Sequence, residues 1–158
     1  MARPRGSAGW VTTAMMDVMA NHRAGVITFS VGHEDFPAHE GEPVVVVRVN
    51  GADLRELIHA EDEAFIPVCA GNSLDYWLGR TADRAWTYRG RTAVLTCACM
   101  DFGCGGTAAR ISISTEEVIW SEISHPFAPA SSIGPLRFNR QQYEGAVHAL
   151  LREVDERA

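Results

Sequence analysis

The chain has 158 residues, of which 46% are hydrophobic and 22% are charged. This length and composition are typical of one globular domain, 1–158, that buries enough apolar surface to fold without disulfides or a bound metal. The formal net charge is −6, and all 14 basic residues are arginines, a bias typical of a GC-rich bacterial genome. The acidic excess argues against a general affinity for nucleic acid or an anionic membrane.

The N-terminal segment does not match a targeting signal. Arg3 and Arg5 precede a short apolar stretch, but Asp17 interrupts it and no small-residue cleavage site follows. No apolar run in the sequence approaches the length of a membrane span. We therefore expect a cytoplasmic protein with a flexible start over 1–8, in a compartment where thiols stay reduced.

Hydrophobic periodicity and turn residues predict eight elements. In chain order they are a helix over 11–22, strands over 26–31 and 44–49, a helix over 53–64, strands over 92–99, 108–114 and 118–123, and a helix over 139–156. We expect a polar loop over 32–43 and irregular turns with short helical or extended pieces over 67–91. This order predicts an α+β fold, in which an antiparallel sheet, formed by a hairpin and a meander, carries helices packed mainly on one face.

Local signals support several of these boundaries. Asn50 and Gly51 tolerate positive φ and should end the second strand. Asp53 and Asn139 are good N-caps for the helices that follow them. Residues 108–114 alternate between apolar and polar side chains, which is the period of a half-buried strand.

Three of the four cysteines form a C-x-C-x4-C pattern, Cys97, Cys99 and Cys104. Residues two apart on a strand point to the same face, so Cys97 and Cys99 should be neighbours. A turn at 101–103 would then bring Cys104 back beside them. Three thiolates at one end of a hairpin suit zinc, which takes four tetrahedral ligands with Zn–S bonds of about 2.3 Å.

The fourth ligand and the role of the thiols remain open at this point. His125, Cys69 or a water can complete a zinc site, and we select His125 as the candidate beside the three cysteines. The same pattern also fits buried small side chains, because free cysteine is among the most buried residue types, or a reactive thiol. The predicted cofactor is therefore zinc or none.

Four motifs follow one another in the second half of the chain: Leu95-x-Cys97-x-Cys99-x4-Cys104-Gly105, Ala109-x-Ile111-x-Ile113, Val118-x-Trp120 and Phe138-x4-Tyr143. This combination, over roughly residues 92–150, resembles a group of uncharacterised bacterial proteins with no established activity. Members similarly carry a C-x-C-G-x-x-G-C turn, and Met100 stands here where many of them have glycine. The resemblance implies the layout of hairpin, strand and terminal helix, and it implies no mechanism.

Two other groups of residues are candidate sites. One, in the expected loop, has residue types that suit divalent metals, although solvation alone explains polar loops: His33, Glu34, Asp35, His39 and Glu40. The other places Arg80, Arg84, Arg89 and Arg91 beside Trp77, Trp86 and Tyr88. Arginines with aromatic residues can bind phosphate or single-stranded nucleic acid, but Asp75, Asp83 and the net charge favour a solvated face.

These observations favour a small non-enzymatic binding or regulatory module with a structural zinc at the cysteine hairpin. Its partner is unidentified, and we expect a protein rather than nucleic acid or a membrane. The alternative is a cysteine- or zinc-dependent enzyme of unknown substrate, with Cys104 or Cys69 as nucleophile beside His125, or with an open position on zinc. A third hypothesis is an interaction protein without metal that uses an exposed apolar patch over 77–91.

Overall fold

The computed structural model describes residues 25–36, 39–99, 101–102, 104–125 and 134–158, and over 34–36 and 39–40 it describes the backbone alone. The predicted helix over 11–22 and the predicted flexible start over 1–8 lie outside these residues. Both stay predictions.

Within the described ranges the chain is α+β, with an open and mostly antiparallel sheet of nine strands and three helices, which confirms the predicted class. The strands are β1 (Ile27–Phe36), β2 (His39–Val49), β3 (Ala52–Asp53), β4 (Ala64–Pro67), β5 (Thr87–Tyr88), β6 (Arg91–Thr96), β7 (Gly106–Ile113), β8 (Glu117–Ser124) and β9 (Leu136–Asn139). The helices are α1 (Leu54–Leu57), α2 (Leu74–Trp77) and α3 (Arg140–Arg157).

The main path of the sheet runs β1-β2-β4-β6-β7-β8-β9, with β3 paired to β2 and β5 paired to β6. Gly25, just before β1, forms a parallel bridge with Phe138 in β9. Helix α3 contacts β1, β8, β9 and α2. Packing of all the helices on one face stays a prediction. No helix in the described part of the chain is both long and apolar enough to cross a membrane.

The last helix forms as its sequence predicts. Asn139 accepts a hydrogen bond from the N–H of Gln142 at 2.9 Å, which satisfies one of the free donors of the first turn. Tyr143, Val147 and Leu150 are fully buried on one face of this helix. The helix therefore attaches to the sheet through one continuous apolar stripe.

An aromatic core, defined here as Phe29, Trp77, Trp120, Phe138 and Tyr143, lies between α3 and the sheet. All five side chains are buried. The hydroxyl of Tyr143 donates to the carbonyl of Trp77 and accepts from Nε1 of Trp120 at 3.1 Å. These bonds satisfy polar atoms that would otherwise be costly to bury.

The predicted loop over 32–43 is wrong. The backbone is paired in the described parts of this segment, 32–36 and 39–43, where His33 faces Pro43 and Phe36 faces His39. A polar sequence indicates contact with water, and a two-stranded ribbon meets that condition as well as a loop does. The candidate ligands His33, Glu34, Asp35, His39 and Glu40 therefore lie on paired strands β1 and β2.

The helix predicted over 53–64 is too long. Asp53 caps it as predicted by accepting from the N–H of Arg55 at 2.7 Å, but α1 ends at Leu57. His59 then adopts a φ of 59°, and Ala64 begins β4, a strand with every residue buried. A short and wholly buried strand shows no alternation, so periodicity alone cannot separate it from a helix.

Candidate metal centre

The connection between β6 and β7, residues 97–105, is called the cysteine loop below; residues 100 and 103 of it lie outside the described part. The strand predicted over 92–99 is too long, because β6 ends at Thr96 and the first two cysteines fall in this loop. The N–H of Cys97 donates to the carbonyl of Gly105 at 3.1 Å and closes the loop. Inside it, the N–H of Cys104 donates to Asp101 at 3.0 Å, and the N–H of Gly105 donates to Phe102 at 3.2 Å.

Two residues fix this loop to the rest of the fold. The side chain of Phe102 is 5% exposed and joins the hydrophobic core. Gly106, the first residue of β7, has a φ of 137°, and a Cβ there would lie 2.6 Å from the carbonyl oxygen of Leu95 and 2.9 Å from Cα of Thr96. Only glycine fits this backbone approach. The sequence analysis singled out neither residue, although a lone aromatic among glycines was an available signal.

The loop brings together the sulfur atoms of Cys97, Cys99 and Cys104, which all lie within 4.8 Å of one another. Cys97 is half-buried, Cys99 and Cys104 are exposed, and none of the three forms a disulfide. The predicted convergence is thus present, although a tight loop produces it rather than two residues on one face of a strand. The alternative of fully buried, inert thiols does not describe these side chains.

Hydrogen bonds make Cys97 the central acceptor of the cluster. The N–H of Cys99 donates to its sulfur, as do the thiols of Cys99 and Cys104 and the N–H of Ala98, and these bonds lower the pKa of Cys97. Donation to Cys97 and Cys99 raises the pKa of Cys104 to about 11, and negative charge on those neighbours adds to the effect. Cys97 therefore loses its proton more readily than Cys104, and a bound cation would supply the charge that three thiolates need.

The other predicted ligands lie around this cluster. His125 follows β8, and its Nε2 lies 3.3 Å from the position that a Cβ on Gly105 would take, so the imidazole packs against the cysteine loop. Cys69 is exposed in the turn after β4. In the described part of the chain, the group of converging ligand atoms comprises the three cysteines of the loop. A fourth ligand from His125 stays a prediction.

The arginine and aromatic stretch over 77–91 does not present the apolar patch that the third hypothesis needs. Trp77 is fully buried in the aromatic core, and Trp86 is partly buried against the hydrophobic core. Arg91 donates to the carbonyl of Glu122 at 3.0 Å and to the hydroxyl of Ser124 at 2.9 Å. Among the residues with described side chains, Val26 is the one large hydrophobic residue classed as exposed.

Two cavities lie apart from the cysteine loop. One, of about 500 Å³, is at the start of α3 and is lined by Thr115, Glu116, Asn139, Arg140, Gln141 and Glu144. The other, of about 220 Å³, is lined by Val31, Pro43, Val68, Val154, Arg157 and Ala158. Neither lining contains a cysteine or a histidine, so neither cavity combines a thiol with a base.

Comparison with known proteins finds no family model, no curated protein and no solved structure that matches this chain. The resemblance to the bacterial group stays a prediction.

Proposed function

We propose that this protein is a small binding or regulatory module that holds a zinc ion in its cysteine loop. Cys97, Cys99 and Cys104 would be ligands, and His125 would be the fourth. One observation carries the proposal, namely the approach of the three sulfur atoms to within 4.8 Å of one another. Thiolates bound to one zinc are roughly 3.8 Å apart, given bonds of about 2.3 Å and tetrahedral angles. Small side-chain movements therefore suffice for ligation.

The surroundings of the thiols support this role. Exposure of Cys99 and Cys104 provides an entry path for an ion, and thiolates prefer soft or borderline metals such as zinc over magnesium or calcium. The hydrophobic core already fixes Phe102 within the loop. Zinc would therefore order the loop locally, and its surface would be available to a partner, which we propose to be a cytoplasmic protein.

The first experiment is a zinc titration of reduced, metal-free, untagged protein against a chelator of known affinity. We expect one zinc per chain and protection of the three loop thiols from a thiol reagent. Co²⁺ in place of zinc should give intense thiolate-to-metal absorption, which reports the sulfur ligands directly. A protein that binds neither ion in this titration contradicts the proposal.

Single substitutions then identify the ligands. Cys97→Ser, Cys99→Ser and Cys104→Ser should each weaken zinc binding by more than about 100-fold, beyond the effect usual for residues that only contact a ligand. Cys69→Ser is the matched control, because this exposed cysteine lies outside the cluster, and it should leave the affinity unchanged. Equal losses for all four variants would mean that the loop holds no specific site.

The fourth position decides between a structural and a catalytic zinc. His125→Gln should weaken zinc binding and change the visible spectrum of bound Co²⁺ if His125 is the fourth ligand. An unchanged spectrum in both this variant and Cys69→Ser would indicate water in that position, which is the open coordination of a catalytic zinc. That result would favour the enzyme alternative over the non-enzymatic module.

A further inference from the structure

The three thiols of the cysteine loop can serve a metal or a disulfide, because both need the same sulfur atoms. They form no disulfide, two of them are exposed, and their sulfurs lie within 4.8 Å of one another. A disulfide bond is about 2.05 Å long, so a pair must approach by no more than roughly 3 Å to form one. Rotation about the Cα–Cβ bonds of a surface loop can supply much of this movement.

The loop geometry favours the pair of Cys97 and Cys104 over the pair of Cys97 and Cys99. The backbone N–H of Cys97 bonds to Gly105, so Cys104 is held beside Cys97 across the closed end of the loop. The Cys97 sulfur also receives the thiol hydrogen bond of Cys104. Cys97 and Cys99 are only two residues apart, and a ring that short strains the preferred disulfide dihedral.

We infer that the cysteine loop is an oxidation-sensitive metal switch, in which a disulfide between Cys97 and Cys104 expels the zinc ion. This switch presupposes the zinc site proposed above and adds its regulation. The oxidant is a hydroperoxide, a class of molecule small enough to reach exposed sulfur atoms.

The chemistry balances in two steps. The sulfur of one cysteine attacks the peroxide, the O–O bond breaks, and a sulfenic acid and an alcohol (or water, from hydrogen peroxide) are formed. The sulfur of the second cysteine then attacks the sulfenic sulfur, forms the S–S bond and releases water. Two electrons pass from the cysteines to the peroxide. Zinc keeps its charge and leaves because two of its thiolates are consumed, and Cys99 takes up a proton.

The test adds hydrogen peroxide to zinc-loaded protein in the presence of a zinc-sensitive dye. We expect one zinc released for each intramolecular disulfide, a mass lower by two hydrogens once zinc is removed, and recovery of zinc binding after reduction. Peptide mapping should find the link between Cys97 and Cys104. A disulfide that forms without zinc release, or one that joins another pair, overturns the inference.

Matched variants in the metal-free state separate this inference from the zinc proposal. Cys99→Ser and Cys69→Ser should still lose two hydrogens with peroxide, whereas Cys104→Ser should not. A wild-type protein that binds zinc but forms no disulfide overturns the switch alone. A wild-type protein that forms the disulfide but binds no zinc overturns the proposed zinc site, and with it the expulsion step.

Discussion

The aromatic core and the cysteine loop hold the most chemically distinctive side chains of this protein and use them in opposite ways. In the core, the Tyr143 hydroxyl bonds both to Trp120 and to the carbonyl of Trp77, so these polar groups are occupied by the fold. In the loop, backbone hydrogen bonds maintain the shape, and two of the three thiols face solvent. The exposed thiols of Cys99 and Cys104 are accessible to a ligand, whereas the hydroxyl of Tyr143 is buried and already bonded.

The contrast also predicts that stability and metal binding can be altered separately. Changes in the aromatic core should lower the free energy of unfolding and leave zinc binding intact. Changes at the thiols should weaken zinc binding and leave the free energy of unfolding of the metal-free protein unchanged. Phe102 fixes the loop to the hydrophobic core and Gly106 fixes it to the backbone of β6, so substitution of either residue should affect both properties.

Phe102→Ala should have the largest effect. Truncation of this buried ring removes apolar contacts and leaves a cavity, at a cost of about 3–5 kcal/mol in unfolding free energy. Urea denaturation measures that loss, and the zinc titration should show weaker binding by about tenfold, as for other residues that orient metal ligands. Phe102→Leu should cost less than about 1.5 kcal/mol, because it keeps most of the volume. Full stability in the alanine variant would mean that the ring does not anchor the loop.

Gly106→Ala should follow, with a loss of about 3 kcal/mol from a φ that disfavours side chains and from contacts with backbone atoms that cannot rotate away. Zinc binding should weaken as well, since β7 begins at this residue. Gly145→Ala is the matched control within α3, where a new Cβ meets nothing within 4 Å. This second change should raise stability by about 0.5–1 kcal/mol through helix propensity.

Tyr143→Phe tests the aromatic core on its own. It leaves Nε1 of Trp120 and the carbonyl of Trp77 without the hydroxyl that satisfies them, at a cost of about 2 kcal/mol. The zinc affinity of the folded variant should match that of the wild type within about twofold, because none of the proposed zinc ligands belongs to the aromatic core. A parallel loss of zinc affinity would show that the core and the loop are coupled and that the contrast drawn above is wrong.

The sequence predicted most reliably those elements whose signals are local. Helix α3 has both an N-cap and an apolar stripe, and β7 and β8 match predicted strands within two residues at each end. Strand β4 was missed because its four buried residues carry no alternation. The paired strands over 32–36 and 39–43 were missed because polar residues predict exposure to water, and exposure does not exclude pairing.

The convergence of the three cysteines was predicted from their spacing, but the placement of Cys97 and Cys99 on a strand was wrong. The cysteines converge because Phe102 enters the core and because Gly106 lets β7 start close against the backbone of Thr96. Both are contacts between segments, and cysteine spacing alone does not encode them. The spacing therefore identified which side chains meet, while the fold determines how they meet.

The smallest expected effect concerns the charge of Glu63, which lies just before β4 and contacts the hairpin of β6 and β7 away from its thiols. Burial raises the pKa of Glu63. A hydrogen bond of 2.7 Å from the hydroxyl of Thr107 in β7 acts in the opposite direction and lowers this pKa, whereas the negative charge of Asp62 raises it further. Because the folded state then holds the proton more tightly than the unfolded state, the stability that this group contributes at low pH is lost as pH rises through the folded pKa.

Glu63→Gln removes that loss and keeps an oxygen for Thr107, so the variant should gain stability relative to the wild type between about pH 4 and about pH 7. Urea denaturation at both pH values measures the gain. Glu61→Gln makes the same change of charge at an exposed position and should show a nearly constant difference from the wild type. If the unfolding free energies of both variants change with pH in the same way as that of the wild type, the Glu63 carboxyl does not contribute to the pH dependence of stability. The thiols then become the next groups to test.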